Sequence, residues 1–469
     1  MLFNSWLFPP FLAVVLALYF RLPHRAQNVM LLLASYIFYA SWDWRFLGLL
    51  LLSSGVDWTL ANLISREPSR RVAKRWVATS VAVNLVFLGF FKYFNFFVDS
   101  LDVLLANLGL RGLDVHLRVI LPLGISFYTF QSMSYIVDVY RGHVKPAENP
   151  VDFALFVAFF PHMVAGPIMP SRLLLPQIQN PRRVTWIQVR EGAWLILWGF
   201  FKKLVVADNL APIVNQVFAA DAAPSGAAVL IATYAFAYQI YCDFSGYSDI
   251  ARGVAKVMGI ELMVNFNQPY LALNPSEFWR RWHISLSTWL RDYLYVSLGG
   301  NRSGRLLTYR NLMLTMLLGG LWHGAAWNFV LWGLFHGGLL VMHRLATQEW
   351  KLWTLESGPA RLLSRVVMFH AVCYGWLLFR ARSFAQIRSF TGALLGLPWA
   401  WAGLSSPIAL LLALGTMLWA VELWVRNADD PTTSVGWNYG LGALACAVMI
   451  VVLVVLAPPA TQSFIYFQF

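Results

Sequence analysis

The chain has 469 residues, of which 59% are hydrophobic and only 12% are charged, and its formal net charge is +13. A soluble domain averages about 45–50% apolar and about 25% charged residues, so this composition excludes an ordinary soluble protein and predicts an integral membrane protein. Because no basic tail or nucleic-acid motif accompanies the positive charge, it indicates basic cytoplasmic loops and not a nucleic-acid partner.

Thirteen apolar runs are candidates for helices that cross the bilayer or re-enter it. A spanning helix needs roughly 20 mostly apolar residues, whereas a β-barrel would show shorter segments of alternating polarity. Several runs are short or contain Gly and Pro, which favours re-entrant segments for some of them. The runs lie near 5–20, 28–43, 46–65, 76–98, 117–140, 151–168, 190–210, 227–256, 306–322, 327–346, 362–380, 404–425 and 438–457.

The loop charges predict an orientation. Arg21 and Arg25 precede the second run, and the basic block 66–75 follows the third, so both loops are expected in the cytoplasm and the N-terminus outside. The segment 380–388 is also expected in the cytoplasm, and the segment 427–436 outside.

No linker rich in Ser, Gly or charge divides the chain. We therefore predict one transmembrane domain over residues 1–469, embedded in the lipid bilayer. Within it, residues 270–346 hold most of the chemistry-bearing side chains and form the predicted catalytic core.

The segment EFWRRWHISLSTWLRDYLYVSLGGNR, residues 277–302, combines four arginines with a histidine and many aromatics. Helical spacing predicts that Arg280, His283, Ser287 and Arg291 share one face. The alternative is an amphipathic helix on the cytoplasmic membrane surface, with Arg and Trp at the level of the headgroups.

A second histidine, His323, lies in LLGGLWHGAAW between two long apolar runs. An imidazole in a membrane is costly and is a functional candidate, although a packing histidine bonded to a neighbouring carbonyl is the simpler alternative. The surrounding glycines allow close approach of a neighbouring backbone or of a ligand, and the tryptophans can wall a pocket. We predict His323 as a catalytic base and His283 as its companion. The glycines are Gly319, Gly320 and Gly324, and the tryptophans are Trp322 and Trp327.

A polar patch, YQIYCDFSGYSD, interrupts the run 227–256. Gln239, Asp243 and Tyr247 recur at a four-residue spacing and share a helical face that should point to the interior of the bundle. Interhelical hydrogen bonding is the favoured role of Asp243. Asp243 and Tyr241 are also candidates for substrate contacts.

Other chemistries fit the sequence poorly. It contains no GxxxxGK[ST], HExxH or GxSxG motif. A metal site built from histidines would lack short-range ligand pairs and nearby carboxylates, so no metal is predicted. The histidines considered are His283, His323, His336 and His343.

Several of these stretches resemble the membrane-bound O-acyltransferases, and in particular the bacterial branch that acetylates exopolysaccharides such as alginate or cellulose. The resemblance implies about 11–13 transmembrane or re-entrant helices around a central funnel. It also implies that His323 is the catalytic histidine and His283 the second site position. The stretches are EFWRRWHISLSTWLRDYLYVSLGGNR, YRNLMLTMLLGGLWHGA, YCDFSGYSDIARG, LPLGISFYTFQSMSYIVDVYRG, FVAFFPHMVAGPIMP and FIYFQF.

The resemblance implies an enzyme that moves an acetyl group across a bacterial inner membrane, with no bound cofactor. Acetyl-CoA or another acyl thioester would be the donor, and a periplasmic acetyltransferase of the same polysaccharide pathway would be the partner. Guanidinium groups suit the donor's phosphates. A transporter or flippase of lipid-linked sugar, or a non-catalytic scaffold, are the alternatives. The predicted donor or substrate contacts are Arg280, Arg281, Arg291, Trp322, Asn328, Asp243 and Tyr241.

Overall fold

The regular secondary structure of the computed structural model is helical, with no β-strand among the residues that it describes. This finding confirms the all-α class predicted from the apolar runs. The described residues are 1–113, 115, 117–164, 166–220, 224–302, 304–349, 357–396, 399–424, 439–459 and 462–465.

Twenty α-helices follow one another along the described ranges, some of them extended by a π-helical turn or a 3-10 turn. In chain order they are α1 (Phe8–Tyr19), α2 (His24–Asp43), α3 (Leu47–Arg66), α4 (Arg70–Leu88), α5 (Phe94–Asn107), α6 (Ile125–Arg141), α7 (Pro150–Ala158), α8 (Phe160–Met163), α9 (Ser171–Gln179), α10 (Trp186–Phe200), α11 (Asp208–Phe218), α12 (Gly226–Val257), α13 (Pro275–Arg281), α14 (Ile284–Trp289), α15 (Arg305–His323), α16 (Trp327–Arg344), α17 (Gly358–Arg380), α18 (Phe384–Leu395), α19 (Ser405–Trp424) and α20 (Tyr439–Leu456).

Six helical stretches of the described chain are long and apolar enough to cross a membrane, so the protein is polytopic. The thirteen predicted runs therefore do not all form full-length spans. The runs 28–43 and 46–65 belong to one 43-residue stretch, and the first run forms a helix of only 12 residues. The six stretches are His24–Arg66, Arg70–Asn107, Gly226–Val257, Trp327–Gln348, Gly358–Arg380 and Ser405–Leu423.

Two predicted runs are broken for local reasons. The run 117–140 becomes helical only at Ile125, because Gly124 adopts a left-handed conformation with φ of 70°. The run 151–168 is interrupted at Phe159, whose extended backbone begins a new helix with Pro161 in its first turn, where a missing N–H costs nothing. The external segment predicted at 427–436 lies outside the described residues.

The chain forms two compact units. The first contains Met1–Gly192 and Ala251–Met263, and buried polar side chains join its helices. Asp57 on α3, for example, accepts hydrogen bonds from Ser80 Oγ at 2.6 Å and Asn84 Nδ2 at 2.9 Å on α4. Such bonds satisfy groups that could not stay unpaired in an apolar interior.

The second unit contains Ala193–Ile250 and Val264–Phe469, and its helices α15 and α16 approach each other closely. A Cβ atom on Gly320 would lie 2.2 Å from the carbonyl oxygen of Phe329, and one on Gly324 would lie 2.1 Å from the Phe329 ring. These two glycines therefore make room for α16, so that of the two predicted close approaches, by a backbone or by a ligand, the structure shows that of a neighbouring helix. Gly319 meets only the Leu290 side chain, at 3.1 Å.

Replacing Gly320 with Ala should destabilise the second unit. The new methyl group overlaps a backbone carbonyl that cannot rotate away, and overpacking of this kind costs about 1–3 kcal/mol. We expect a lower unfolding temperature for the purified protein in detergent. Gly338→Ala on α16 is the matched control, because no atom lies within 4 Å of its new Cβ. An equal effect of both variants would contradict the close-packing explanation.

Candidate active site

His283 lies in a sharp break between two short helices. The helix α13 ends at Arg281, Trp282 is extended, and His283 adopts a left-handed conformation with φ of 42° before α14 begins at Ile284. The predicted continuous helix with Arg280, His283, Ser287 and Arg291 on one face is therefore wrong. A non-glycine residue in this conformation is uncommon and points to a position imposed by its surroundings.

The break belongs to the protein interior. Phe278, Trp282, His283 and Leu286 are all buried, so the alternative of a helix lying on the membrane surface is also wrong. The aromatic side chains that suggested a headgroup belt instead pack against other rings, including Trp282 on Trp376 with ring centroids 4.6 Å apart. A sequence rich in Arg and Trp is compatible with a helix on the membrane surface and with a buried break. Both arrangements use side chains that have an apolar body and a polar end.

Asn265 holds the break in place, and the sequence analysis did not identify it. Its side-chain oxygen lies 3.2 Å from His283 Nδ1 and accepts hydrogen bonds from Ser285 N at 3.1 Å and Ser285 Oγ at 2.9 Å. Its amide nitrogen donates to Ser248 Oγ at 3.1 Å. Its backbone carbonyl accepts from Ile284 N at 2.8 Å.

These contacts define the protonation of His283. Since the Asn265 oxygen already accepts a backbone N–H, the facing Nδ1 atom of His283 must act as a donor, which leaves the lone pair on Nε2. Burial lowers the pKa of His283 to about 3, because the charged imidazolium would lose its hydration. His283 is therefore a neutral imidazole that can accept a hydrogen bond through Nε2.

His323 is the last residue of α15, and its main chain continues into the extended Gly324. Its ring is enclosed by Trp322, Trp332 and Phe379, with ring centroids 5.2, 5.0 and 5.5 Å away. The His283 ring lies 6.3 Å from it, centroid to centroid. The structure thus brings together two histidines that are 40 positions apart in the sequence.

A cavity of about 210 Å³ reaches His323. His323 is only 5% exposed, yet the same cavity is lined by Arg291, whose side chain is 61% exposed. The cavity therefore joins His323 to a side chain at the surface of the second unit, although aromatic rings surround the His323 ring. The cavity walls are mostly apolar and consist of Trp279, Leu286, Ser287, Leu290, Arg291, Tyr295, Leu312, Thr315, Met316, Gly319, His323, Trp332 and Leu340.

The three predicted arginines occupy different places. Arg291 lines the cavity and pairs with Asp292 at 2.7 Å. Arg281 is held by Glu277 at 2.9 Å and donates to the Asn267 carbonyl at 3.2 Å. Arg280 is exposed and is not among the residues that line the cavity.

Trp322 and Asn328 lie next to the histidines but not on the cavity wall. Trp322 is buried and contacts both His283 and His323. Asn328 donates to the Phe379 carbonyl at 3.0 Å, and the Phe379 ring packs on His323. Trp279 and Trp332 wall the cavity where Trp322 and Trp327 were expected, and Trp327 is an exposed residue.

Asp243 and Tyr241 lie on the buried α12 and are not among the cavity-lining residues. Asp243 pairs with Lys203 at 2.7 Å and accepts from Ile465 N at 2.6 Å. Tyr241 donates a short hydrogen bond to Glu422. These contacts favour the interhelical role over direct contact with substrate, and they confirm that the polar face of α12 points inward.

The four histidines considered for a metal are not grouped as ligands. Among the described residues, no group of three or more His, Cys, Asp or Glu side chains could hold a metal ion. His336 instead packs among rings, 4.8 Å from Trp332 and 5.2 Å from Trp279, centroid to centroid.

Removing the Asn265 side chain should destabilise the break around His283. The variant Asn265→Ala leaves the buried Ser285 donors without their acceptor, which costs about 1–3 kcal/mol. We expect a lower unfolding temperature in detergent. Asn267→Ala, two residues away, is the matched control, because no hydrogen bond of its side chain is found among the described contacts. Identical unfolding temperatures for wild type and Asn265→Ala would rule out a clamp.

The chain matches known proteins over most of its length. Residues 146–380 match the model of the membrane-bound O-acyltransferase family, and this range includes both histidines. The chain is 47% identical over 376 residues to a probable alginate O-acetylase AlgI of Azotobacter vinelandii, a match that covers 80% of this chain and 73% of the relative.

More distant relatives carry other acyl-transfer names. The chain is 35% identical over 429 residues to a peptidoglycan O-acetyltransferase of Helicobacter pylori, covering 85% of this chain and 80% of that protein. It is 29% identical over 280 residues to a teichoic acid D-alanyltransferase of Bacillus subtilis, covering 56% and 69%. The family expected from the sequence motifs is confirmed: this chain belongs to the membrane-bound O-acyltransferase family and is a multi-pass acyltransferase.

Proposed function

We propose that this chain moves an acetyl group from a cytoplasmic thioester to an acceptor hydroxyl, for the O-acetylation of an exopolysaccharide of the alginate or cellulose type. The observation that carries the proposal is the cavity that joins the exposed Arg291 to the buried His323. The similarity to proteins named alginate O-acetylase and peptidoglycan O-acetyltransferase supports polysaccharide acetylation.

The cavity suits a thin acyl thioester. Its walls are mostly apolar, so they can take the uncharged arm of acetyl-CoA and exclude water that would hydrolyse the thioester. Arg291 is the guanidinium on the cavity wall and suits the donor's phosphates. Arg280 is exposed outside the wall and would contribute only to the approach of the anionic donor.

His323 acts as the general base of the transfer. It takes the proton from the acceptor hydroxyl as that oxygen attacks the thioester carbonyl, and a new C–O ester bond forms. The C–S bond then breaks, and the thiolate leaves with the proton that His323 returns. A positioned base of this kind contributes typically about 10²–10⁴-fold in rate.

His283 assists as a neutral group. Its Nε2 lone pair can accept a hydrogen bond, either from the attacking hydroxyl or from a ring N–H of His323. Asn265 fixes its orientation from the opposite ring nitrogen. Preorganised hydrogen bonding of this kind stabilises charge as it develops in the transition state.

A carrier with an acceptor hydroxyl explains how such a narrow site can support the acetylation of a large polymer. A cavity of about 210 Å³ takes an acyl arm but not a folded stretch of polysaccharide. We therefore propose that the acceptor is a hydroxyl on a carrier and that a periplasmic acetyltransferase places the acetyl group on the polymer. This arrangement puts the chain in the bacterial inner membrane, with the donor supplied from the cytoplasm.

The substitution His323→Ala should abolish transfer of radiolabelled acetyl from acetyl-CoA in a reconstituted membrane with the partner present. The loss should reach about 10²–10⁴-fold, because the base is removed. His343→Ala is the matched control, since His343 is on α16 but does not line the cavity. Unchanged transfer by a folded His323→Ala protein would reject the assignment. Polymer acetylation in cells lacking the chain would favour a scaffold role.

The substitution Gly319→Leu should block the cavity. Within 4 Å, a new Cβ at Gly319 meets only the Leu290 side chain, and both residues line the cavity, so we expect the larger residue to occupy cavity space. We expect a higher KM for acetyl-CoA and a folded protein, measured by steady-state transfer and by thermal unfolding. Gly338→Leu, which faces open space, controls for the loss of a helical glycine. An unaltered KM would mean that the donor takes another route.

A further inference from the structure

Two residues of the short segment 462–465 are buried in the second unit, whereas Gln462 is half-buried and Ser463 is exposed, and residues 462–464 belong to no regular helix. Phe464 is 0% exposed and Ile465 is 2% exposed. Neither residue lines the cavity. A segment of this kind needs an account of what holds its backbone, because unpaired N–H and C=O groups are costly in an apolar interior.

Three charged side chains bind this backbone. Asp243 accepts a hydrogen bond from Ile465 N at 2.6 Å, and Asp208 accepts one from Gln462 N at 3.3 Å. Lys203 donates to the Gln462 carbonyl at 3.0 Å and bridges both carboxylates, at 2.8 Å to Asp208 and 2.7 Å to Asp243.

The free-energy cost of burying these three charged side chains suggests that they have a specific structural role. Burying a lysine and two carboxylates is expensive, and replacing such a group by well-packed apolar residues is often neutral or stabilising. The cluster differs from an apolar substitute in one respect: it offers acceptors and a donor at fixed points for a non-helical backbone. The Lys203–Asp208–Asp243 cluster therefore acts as a docking site for residues 462–465.

The docked segment is in ring contact with the surroundings of His283. Phe464 packs on Tyr247 at 4.3 Å and on Phe244 at 5.7 Å, centroid to centroid. Phe244 in turn meets the His283 ring edge-on at 4.6 Å. Asn265 restrains His283 through Nδ1, and Phe244 restrains the position of its ring.

We propose that residues 462–465 position His283, with Phe464 as the positioning side chain and the Lys203–Asp208–Asp243 cluster as the anchor. This inference rests on the proposed function, because it requires His283 to take part in the transfer. It assigns Asp243, a candidate substrate contact from its sequence pattern, an indirect role instead. It also relates the polar face of α12, through Asp243 and Phe464, to the position of His283.

The test is a double-mutant cycle on kcat with acetyl-CoA as donor. Phe464→Ala should lower kcat about tenfold with KM unchanged, since a displaced His283 weakens the transition state and not donor binding. In a His283→Ala background the same substitution should have little further effect, because the group it positions is gone. Phe464→Leu, which keeps apolar bulk, should restore most of the rate.

The control is Phe390→Ala, which removes another buried ring of the second unit that packs on Phe218 and does not contact His283. It should lower the unfolding temperature, and any effect on rate should combine independently with His283→Ala. If Phe464→Ala also combined independently with His283→Ala, the segment would be merely structural and this inference would be overturned. If His283→Ala itself left kcat unchanged, the role of His283 in the proposed function would fail instead.

Discussion

The structure of the second unit depends on burying two imidazoles side by side in a helical membrane protein. A histidine in an apolar interior must have its nitrogens satisfied and its ring held, or its burial costs stability. Here Asn265 holds His283 through Nδ1, and rings from several elements enclose His323. A cavity is lined by His323 and by the exposed Arg291.

The main chain around the site is unusual. The chain turns through a left-handed residue, His283, between α13 and α14, and the His283 ring lies beside that of His323. Strain at such a residue persists only where the surroundings over-determine it. The Asn265 backbone and side chain supply that restraint, and close packing of α15 on α16 fixes the partner histidine.

A cluster of buried charged side chains is connected to the surroundings of His283 through a backbone segment. The Lys203–Asp208–Asp243 cluster is not part of the cavity, but it binds a backbone segment whose Phe464 side chain reaches the ring next to His283. A sequence pattern alone does not distinguish the two roles that a polar patch such as the one on α12 can have. An inward-facing aspartate can bind a substrate or anchor a neighbouring segment, and only its contacts distinguish the two.

Composition and motifs alone determined the membrane class, the helical architecture and the family, because apolar run length and short motifs are local properties. They also singled out the two histidines whose rings the structure brings together. The tertiary structure decided the rest. Gly320 and Gly324 serve helix packing, Trp279 and Trp332 wall the cavity, and Asn265 orients His283. These roles depend on contacts between residues far apart in the chain. A helical repeat continued through His283 predicts a continuous helix with His283 on the face of its neighbours, which the structure does not have. The reason is that a periodic pattern describes a helix only until tertiary contacts break it.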